Sequence, residues 1–169
     1  MPAFTHVLEY SSGRAESFGL TDIDEFSRVL HRFNGLDRFV LLLWALPPGM
    51  DYEEGVAAGA NREYLQALGR AEAMTVEICK SGGAQWGVDW VRYVIGHPHD
   101  GDEEVQDVPI VLPRSTEMRS RTQIFDADEA AQLFYSYYKT GDIPPGYTLH
   151  PEQGFTKEGG NIDLRTQAS

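Results

Sequence analysis

Apolar residues recur at helical spacing in two stretches of this 169-residue chain. In the first, Ile23, Phe26, Val29, Leu30 and Phe33 fall on one face and predict a helix over residues 21–33. Thr21 is placed to cap it, with its hydroxyl accepting from the Asp24 amide and Asp24 where a capping-box acid belongs. Asn34-Gly35 offers a left-handed exit. In the second stretch, Ala130, Ala131, Phe134, Tyr137 and Tyr138 form an apolar and aromatic stripe over residues 127–139. Asp126 precedes it as an N-cap, reaching the Glu129 amide while Glu129 reaches back. Lys139 sits where the helix dipole favours a cation, and Gly141 supplies the C-cap.

The rest of the pattern is strand-like. Residues 4–10 read as a strand ended by Ser-Ser-Gly. Residues 38–46 form an unbroken apolar run, as expected of a strand covered on both faces, and Pro47-Pro48-Gly49 stops it. Residues 50–60 are rich in Gly, Ala and acids and read as a loop. Residues 61–73 admit a helix by propensity. The clean alternation of Thr75-Val76-Glu77-Ile78 favours instead a hairpin, with strands at 64–68 and 74–79 and a turn at Gly69. Residues 85–95 alternate with Trp86, Val88 and Trp90 on one side, then crowd at Trp90-Val91, which marks a bulge or two-sided burial. A polar acidic loop over 96–107 leads to a short strand at 108–112. Residues 119–125 alternate as an exposed or edge strand. Pro144-Pro145-Gly146 turns the chain into residues 147–149.

Helices at both ends of a run of strands predict an α+β domain. We expect a mostly antiparallel sheet of about five to seven strands, packed with an N-terminal and a C-terminal helix. That domain is expected to span residues 1–150. Residues 151–169 form a C-terminal extension with one short strand expected at 161–164.

Composition narrows the function classes. Acidic residues number 26 against 14 basic ones, a net charge of −12. That balance opposes binding to nucleic acid, which needs cations against phosphate, and to anionic lipid. It favours a partner that is itself basic. The N-terminus has no basic, apolar pattern of a secretory signal, and the longest apolar run, 39–48, is half the ~20 residues of a membrane span. A cytoplasmic protein is expected. The single cysteine, Cys79, excludes a disulfide framework and a multi-cysteine zinc site. It reads as a small, half-buried strand residue.

Candidate chemistry is sparse. His97-Pro98-His99-Asp100 has the look of a metal-ligand pair, but it reads more simply as a solvated turn, so neither metal nor cofactor is expected. Asp100, Asp102, Glu103, Glu104 and Asp107 put five carboxylates into eight residues without calcium-loop spacing. They form either a solvated loop or a docking surface for a basic partner. Trp86 and Trp90 are interface anchors or core. Phosphate-cradling glycine motifs, a nucleophile elbow and the zinc-deaminase signature are absent. A non-enzymatic role is expected. The alternative is a ligand-binding module or small enzyme with a Trp- and Tyr-lined pocket near residues 97–100.

One block is more specific. Phe125-Asp126-Ala127-Asp128-Glu129-Ala130-Ala131-Gln132-Leu133-Phe134 is followed by Tyr137-Tyr138-Lys139-Thr140-Gly141 and then Ile143-Pro144-Pro145-Gly146-Tyr147. This resembles the ending of an immunity protein family of bacterial polymorphic toxin systems, the deaminase-toxin-associated, Imm-one type. Tyr64-Leu65-Gln66 and Met74-Thr75-Val76-Glu77 are similar to that family's central hairpin. Tyr147 stands where the family usually has tryptophan, and the N-terminal half is longer than usual. The resemblance implies a cytoplasmic antitoxin that binds a cognate toxin domain, one acting on nucleic acids or nucleotides, and buries its active site.

Overall fold

The computed structural model describes residues 4–99 and 105–165. An eight-stranded antiparallel sheet carries the fold. Its strands are β1 (His6–Tyr10), β2 (Ala15–Phe18), β3 (Val40–Ala45), β4 (Tyr64–Arg70), β5 (Ala73–Ser81), β6 (Trp90–Gly96), β9 (Thr148–Phe155) and β10 (Asn161–Asp163). They lie in the order β10-β9-β6-β5-β4-β3-β1-β2. A separate two-stranded ribbon pairs β7 (Val108–Val111) with β8 (Thr116–Arg119). The helices are α1 (Ile23–His31), α2 (Tyr52–Ala57) and α3 (Ala127–Thr140). The α+β class is as expected. The main sheet alone exceeds five to seven strands, because charged Ala15–Phe18 and polar Thr148–Phe155 gain order by pairing with β1 and β6.

Strand alternation divides the core. Leu8, Leu41, Leu43, Leu65, Ala67, Met74, Val76, Ile78 and Ile95 share one cluster with Phe26 and Leu30 of α1 and with Ala130, Ala131, Leu133, Phe134 and Tyr137 of α3. Removing a Leu or Phe of that cluster from water is worth about 1.5–3 kcal/mol. The opposite face holds Trp44, packed with Val7 and Leu46, its indole N–H donating to Glu9 at 2.7 Å. Within the apolar run 38–46, Val40–Ala45 therefore forms the doubly covered strand that the pattern predicts.

Several boundaries moved, each for a local reason. The N-cap of α1 is Asp22, not Thr21; its carboxylate accepts from the Asp24 and Glu25 amides, and the helix ends at His31. Residues 50–60 are not a loop throughout, since Asp51 and Glu54 form a capping box that starts α2. The hairpin at β4–β5 is present. Its turn lies at Ala71-Glu72, and Gly69 stays inside the strand opposite Met74. A side chain there would meet the Ala73 carbonyl at 2.6 Å, with φ at +139°.

Residues 85–89 are not strand: Ala84–Trp86 is a single 3₁₀ turn, and pairing begins at Trp90. The bulge falls between Arg92 and Tyr93, where β6 meets β9. Residues 119–125 are not an exposed strand either. β8 ends at Arg119, Ser120 opens a 3₁₀ turn through a side-chain exchange with Gln123, and Phe125 is buried. Asp126 caps α3 through the Glu129 amide and Gly141 ends it at φ +81°, as expected. The Glu129 carboxylate points away from the cap, toward His97. The expected division at residue 150 falls inside β9, so chain on both sides of it belongs to the same sheet. Among the described residues no helix is long and apolar enough to cross a membrane.

Candidate functional site

The sheet face turned away from α1 and α3 is built by the alternate residues of the same strands. Register sets Tyr64 opposite Cys79 and Gln66 opposite Glu77, with Cys79 in turn opposite Arg92. Glu77 is 3% exposed, an unusual place for a carboxylate. It accepts from Gln66 Nε2 at 2.9 Å and from Arg119 Nη2 at 3.0 Å, and Arg92 Nε stands 3.6 Å away. Burial pushes its carboxyl above the usual range, against the opposing pull of Arg92 and Arg119.

Arg119 comes from the end of β8. Its Nε donates to Thr75 Oγ1 at 2.9 Å and its Nη1 to the Met118 carbonyl at 2.9 Å. Glu152 closes the group, 3.3 Å from Arg119 Nη2 and 3.9 Å from Arg92 Nη2. Arg92 Nη2 also donates to Gln153 Oε1 at 2.7 Å, while its buried Nε has no acceptor. The network of two carboxylates and two guanidiniums thus pins the β7–β8 ribbon onto the sheet. A polar hollow of about 680 Å³ opens beside it, lined by Arg119, Glu152, Glu117, His99, His150 and Arg165.

A second hollow, about 270 Å³, lies across neighbouring strands from β4 to β10. Cys79 and Tyr64 line it together with Trp90 and Phe155, which are direct cross-strand neighbours. The Arg62 guanidinium sits 4.6 Å over the Trp90 ring. Burial raises the Tyr64 hydroxyl and the Cys79 thiol to about 12 each. Burial thus disfavours the thiolate and leaves Cys79 as a packed thiol between neighbouring strands. Cys79 is also more deeply buried than expected, at 2% exposure.

The histidine turn has a different setting. His97 lies at the far end of β6 from Trp90, so the expected Trp- and Tyr-lined pocket beside residues 97–100 divides into two places. His97 stacks on Phe125 at 4.5 Å between ring centres. Its Nδ1 is 2.7 Å from the Thr122 carbonyl, and its Nε2 is 2.8 Å from both Glu129 oxygens. Tyr147 donates its hydroxyl to the same Glu129 at 2.9 Å, and burial together with that carboxylate raises its pKa to about 12. Among the described residues no group of three or more His, Cys, Asp or Glu side chains converges on a metal position.

Of the residues expected to meet a partner, Trp90 lines the aromatic hollow. Trp86 is half-buried against Val88, Val91 and Leu164. Asp107 is exposed just before β7. Asp100, Asp102, Glu103 and Glu104 lie outside the described residues. Sequence reasoning missed Glu77, Arg92, Arg119 and Glu152. The polar alternation that marks them is the same one that marks a solvated strand face, and it is Arg119 of the ribbon and Glu152 of β9 that meet Glu77 and Arg92 there. No protein-family model, no curated protein and no solved structure matches the chain.

Proposed function

We propose that this protein is an immunity protein, a cytoplasmic antitoxin that binds a cognate toxin domain of a polymorphic toxin system and blocks it by covering its active site. The observation that carries the reading is the behaviour of residues 125–147 as one folded unit. Phe125 supports His97, α3 runs from its Asp126 cap to Gly141, and Tyr147 returns to bond Glu129 on that helix. These are the residues that resemble the immunity family's ending.

The net charge of −12 supports a basic partner. Domains that act on nucleic acids or nucleotides, deaminases among them, need a basic groove to hold phosphate, and an acidic protein competes for it. The carboxylates of residues 100–107 contribute to capture, and binding alone accounts for inhibition. The test is co-expression with the toxin domain encoded beside this chain, together with a binding measurement on the purified pair. Survival of the host and a stable one-to-one complex are the expected results. Killing in the presence of this protein, with no complex formed, overturns the reading.

A further inference from the structure

The chain is strongly acidic, yet one hollow is lined by arginines. It measures about 780 Å³ and lies between the β1–β2 turn, α1 and residues 37–40, which lead into β3. Arg14, Arg28, Arg32 and Arg38 all line it, four of the 14 basic residues in a chain of net charge −12. None of the four is a lysine. A planar guanidinium meets two oxygens of a phosphate at once, which a lysine ammonium does not.

Three carboxylates share the lining, and their bonds decide which arginines stay available. Glu25 holds Arg28 through two bonds of 2.9 and 3.2 Å. Glu16 lies 4.0 Å from Arg14, whose guanidinium also stands 4.4 Å over the Tyr10 ring. Asp37 accepts from Asn34 Nδ2 at 2.6 Å. Arg32 and Arg38 form no ion pair among the described residues. The backbone around them is fixed. Asn34 Oδ1 accepts from the Leu36, Asp37 and Arg38 amides, and Ser11 Oγ accepts from the Phe39 and Val40 amides at 2.9 and 3.0 Å. A frame set before the ligand arrives lowers the entropy cost of binding.

Size and lining together select the ligand. A lone oxyanion leaves most of the 780 Å³ empty, and the volume falls within the range of small-molecule pockets, roughly 300–1,000 Å³. Tyr10, Val29 and Phe39, each half-buried, supply an apolar wall. Glu16 and Asp37 oppose a bare anion, but an ionised carboxylate has about four lone-pair sites and accepts readily from sugar hydroxyls. A ligand that uses all three features carries a phosphate, hydroxyls and a flat ring.

We propose that this hollow binds a mononucleotide. Arg32 and Arg38 take the phosphate, Glu16 and Asp37 accept from the ribose hydroxyls, and the base packs on Tyr10 and Phe39. The site is separate from the antitoxin reading and does not rest on it.

The test is calorimetric titration of the full chain at low salt, with AMP, ribose 5-phosphate, inorganic phosphate and adenosine as separate probes. AMP is expected to bind, and each of the other three to bind at least tenfold more weakly. The double variant Arg32→Gln, Arg38→Gln should weaken AMP binding at least tenfold with an unchanged unfolding midpoint, since both side chains are exposed. Lys157→Gln removes an exposed cation between β9 and β10, at the other end of the sheet, and should leave AMP binding as it was. No binding of AMP overturns the proposal, and so does AMP binding that the double variant leaves intact or that Lys157→Gln weakens equally. Inorganic phosphate binding as tightly as AMP overturns the nucleotide in favour of a bare anion. Ribose 5-phosphate binding as tightly overturns the role of the base, and adenosine binding as tightly overturns that of the arginines.

Discussion

Arg119 Nη2 lies 3.0 Å from Glu77 Oε2, and both side chains are at least 95% buried. The two residues stand 42 positions apart and belong to different sheets. Their contact joins the β7–β8 ribbon to the centre of the main sheet. Removing Arg119 takes from Glu77 its closest cation, leaving Arg92 at 3.6 Å, and takes from Glu152 its closer one. Arg119→Ala should therefore destabilise the protein by about 3–5 kcal/mol. Urea denaturation of wild type and variant checks this, and a shift below 1 kcal/mol would show the pair to be dispensable.

The helix caps give a local test. Asp22→Ala and Asp126→Ala each remove a carboxylate that accepts first-turn amide hydrogens, and each should cost about 0.5–2 kcal/mol. Thr21→Ala should cost much less, because Thr21 contributes its backbone amide, not its hydroxyl, to a bond with Tyr138. Chemical denaturation of the three variants side by side separates the two caps proposed for α1.

Alkaline pH should weaken the fold through Cys79. Its thiol is raised by burial from 9 to about 12, so the folded state holds its proton more tightly than the unfolded state does. The stabilisation is complete below pH 9 and is lost as pH rises through 12. Cys79→Ala should flatten the fall in stability across that window, measured by denaturation at stepped pH. An unchanged pH slope would place the thiol in water.

The bond from Tyr147 to Glu129 ties the chain after the proline turn back onto α3. Tyr147→Phe keeps the ring against His97 and Phe125 and deletes the hydroxyl. It should cost about 0.5–1.5 kcal/mol. Hydrogen exchange should rise at residues 143–147 first. Equal protection in both proteins would mean that ring packing alone holds the segment.

Capture by the acidic run has a kinetic signature. Changing Asp102→Asn, Glu103→Gln and Glu104→Gln together should slow association with the toxin domain, more at low salt than at high. Exposed charges are screened over ~8–10 Å at physiological ionic strength. Stopped-flow association at two salt concentrations decides it. Equal rates in both salts would remove the loop from the capture step.

Local pattern determined much of this protein. Both long helices, the doubly covered strand at Val40–Ala45 and the β4–β5 hairpin follow from the spacing of apolar residues, because burial of one face or two leaves a different period in the chain. The Asp126 and Gly141 caps were legible for the same reason, since a cap is satisfied within four residues. α2 was legible in principle from its Asp51–Glu54 capping box, which acid-rich surroundings masked. The strand expected at 161–164 is β10, but the other edge strand and the site were not legible. β2 is short and polar, and its order comes from a neighbouring strand's hydrogen bonds. Glu77 and Arg92 alternate as solvent-facing residues would. Glu77 is buried and Arg92 half-buried in the group that Arg119 from β8 and Glu152 from the β9 bulge complete. Trp90 could be named from the sequence, but its walls could not: Tyr64, Cys79 and Phe155 reach it only through the register of four strands. Side-chain period records how much of a strand is covered. What does the covering is decided by contacts between residues far apart in the chain, and only the tertiary structure makes those contacts.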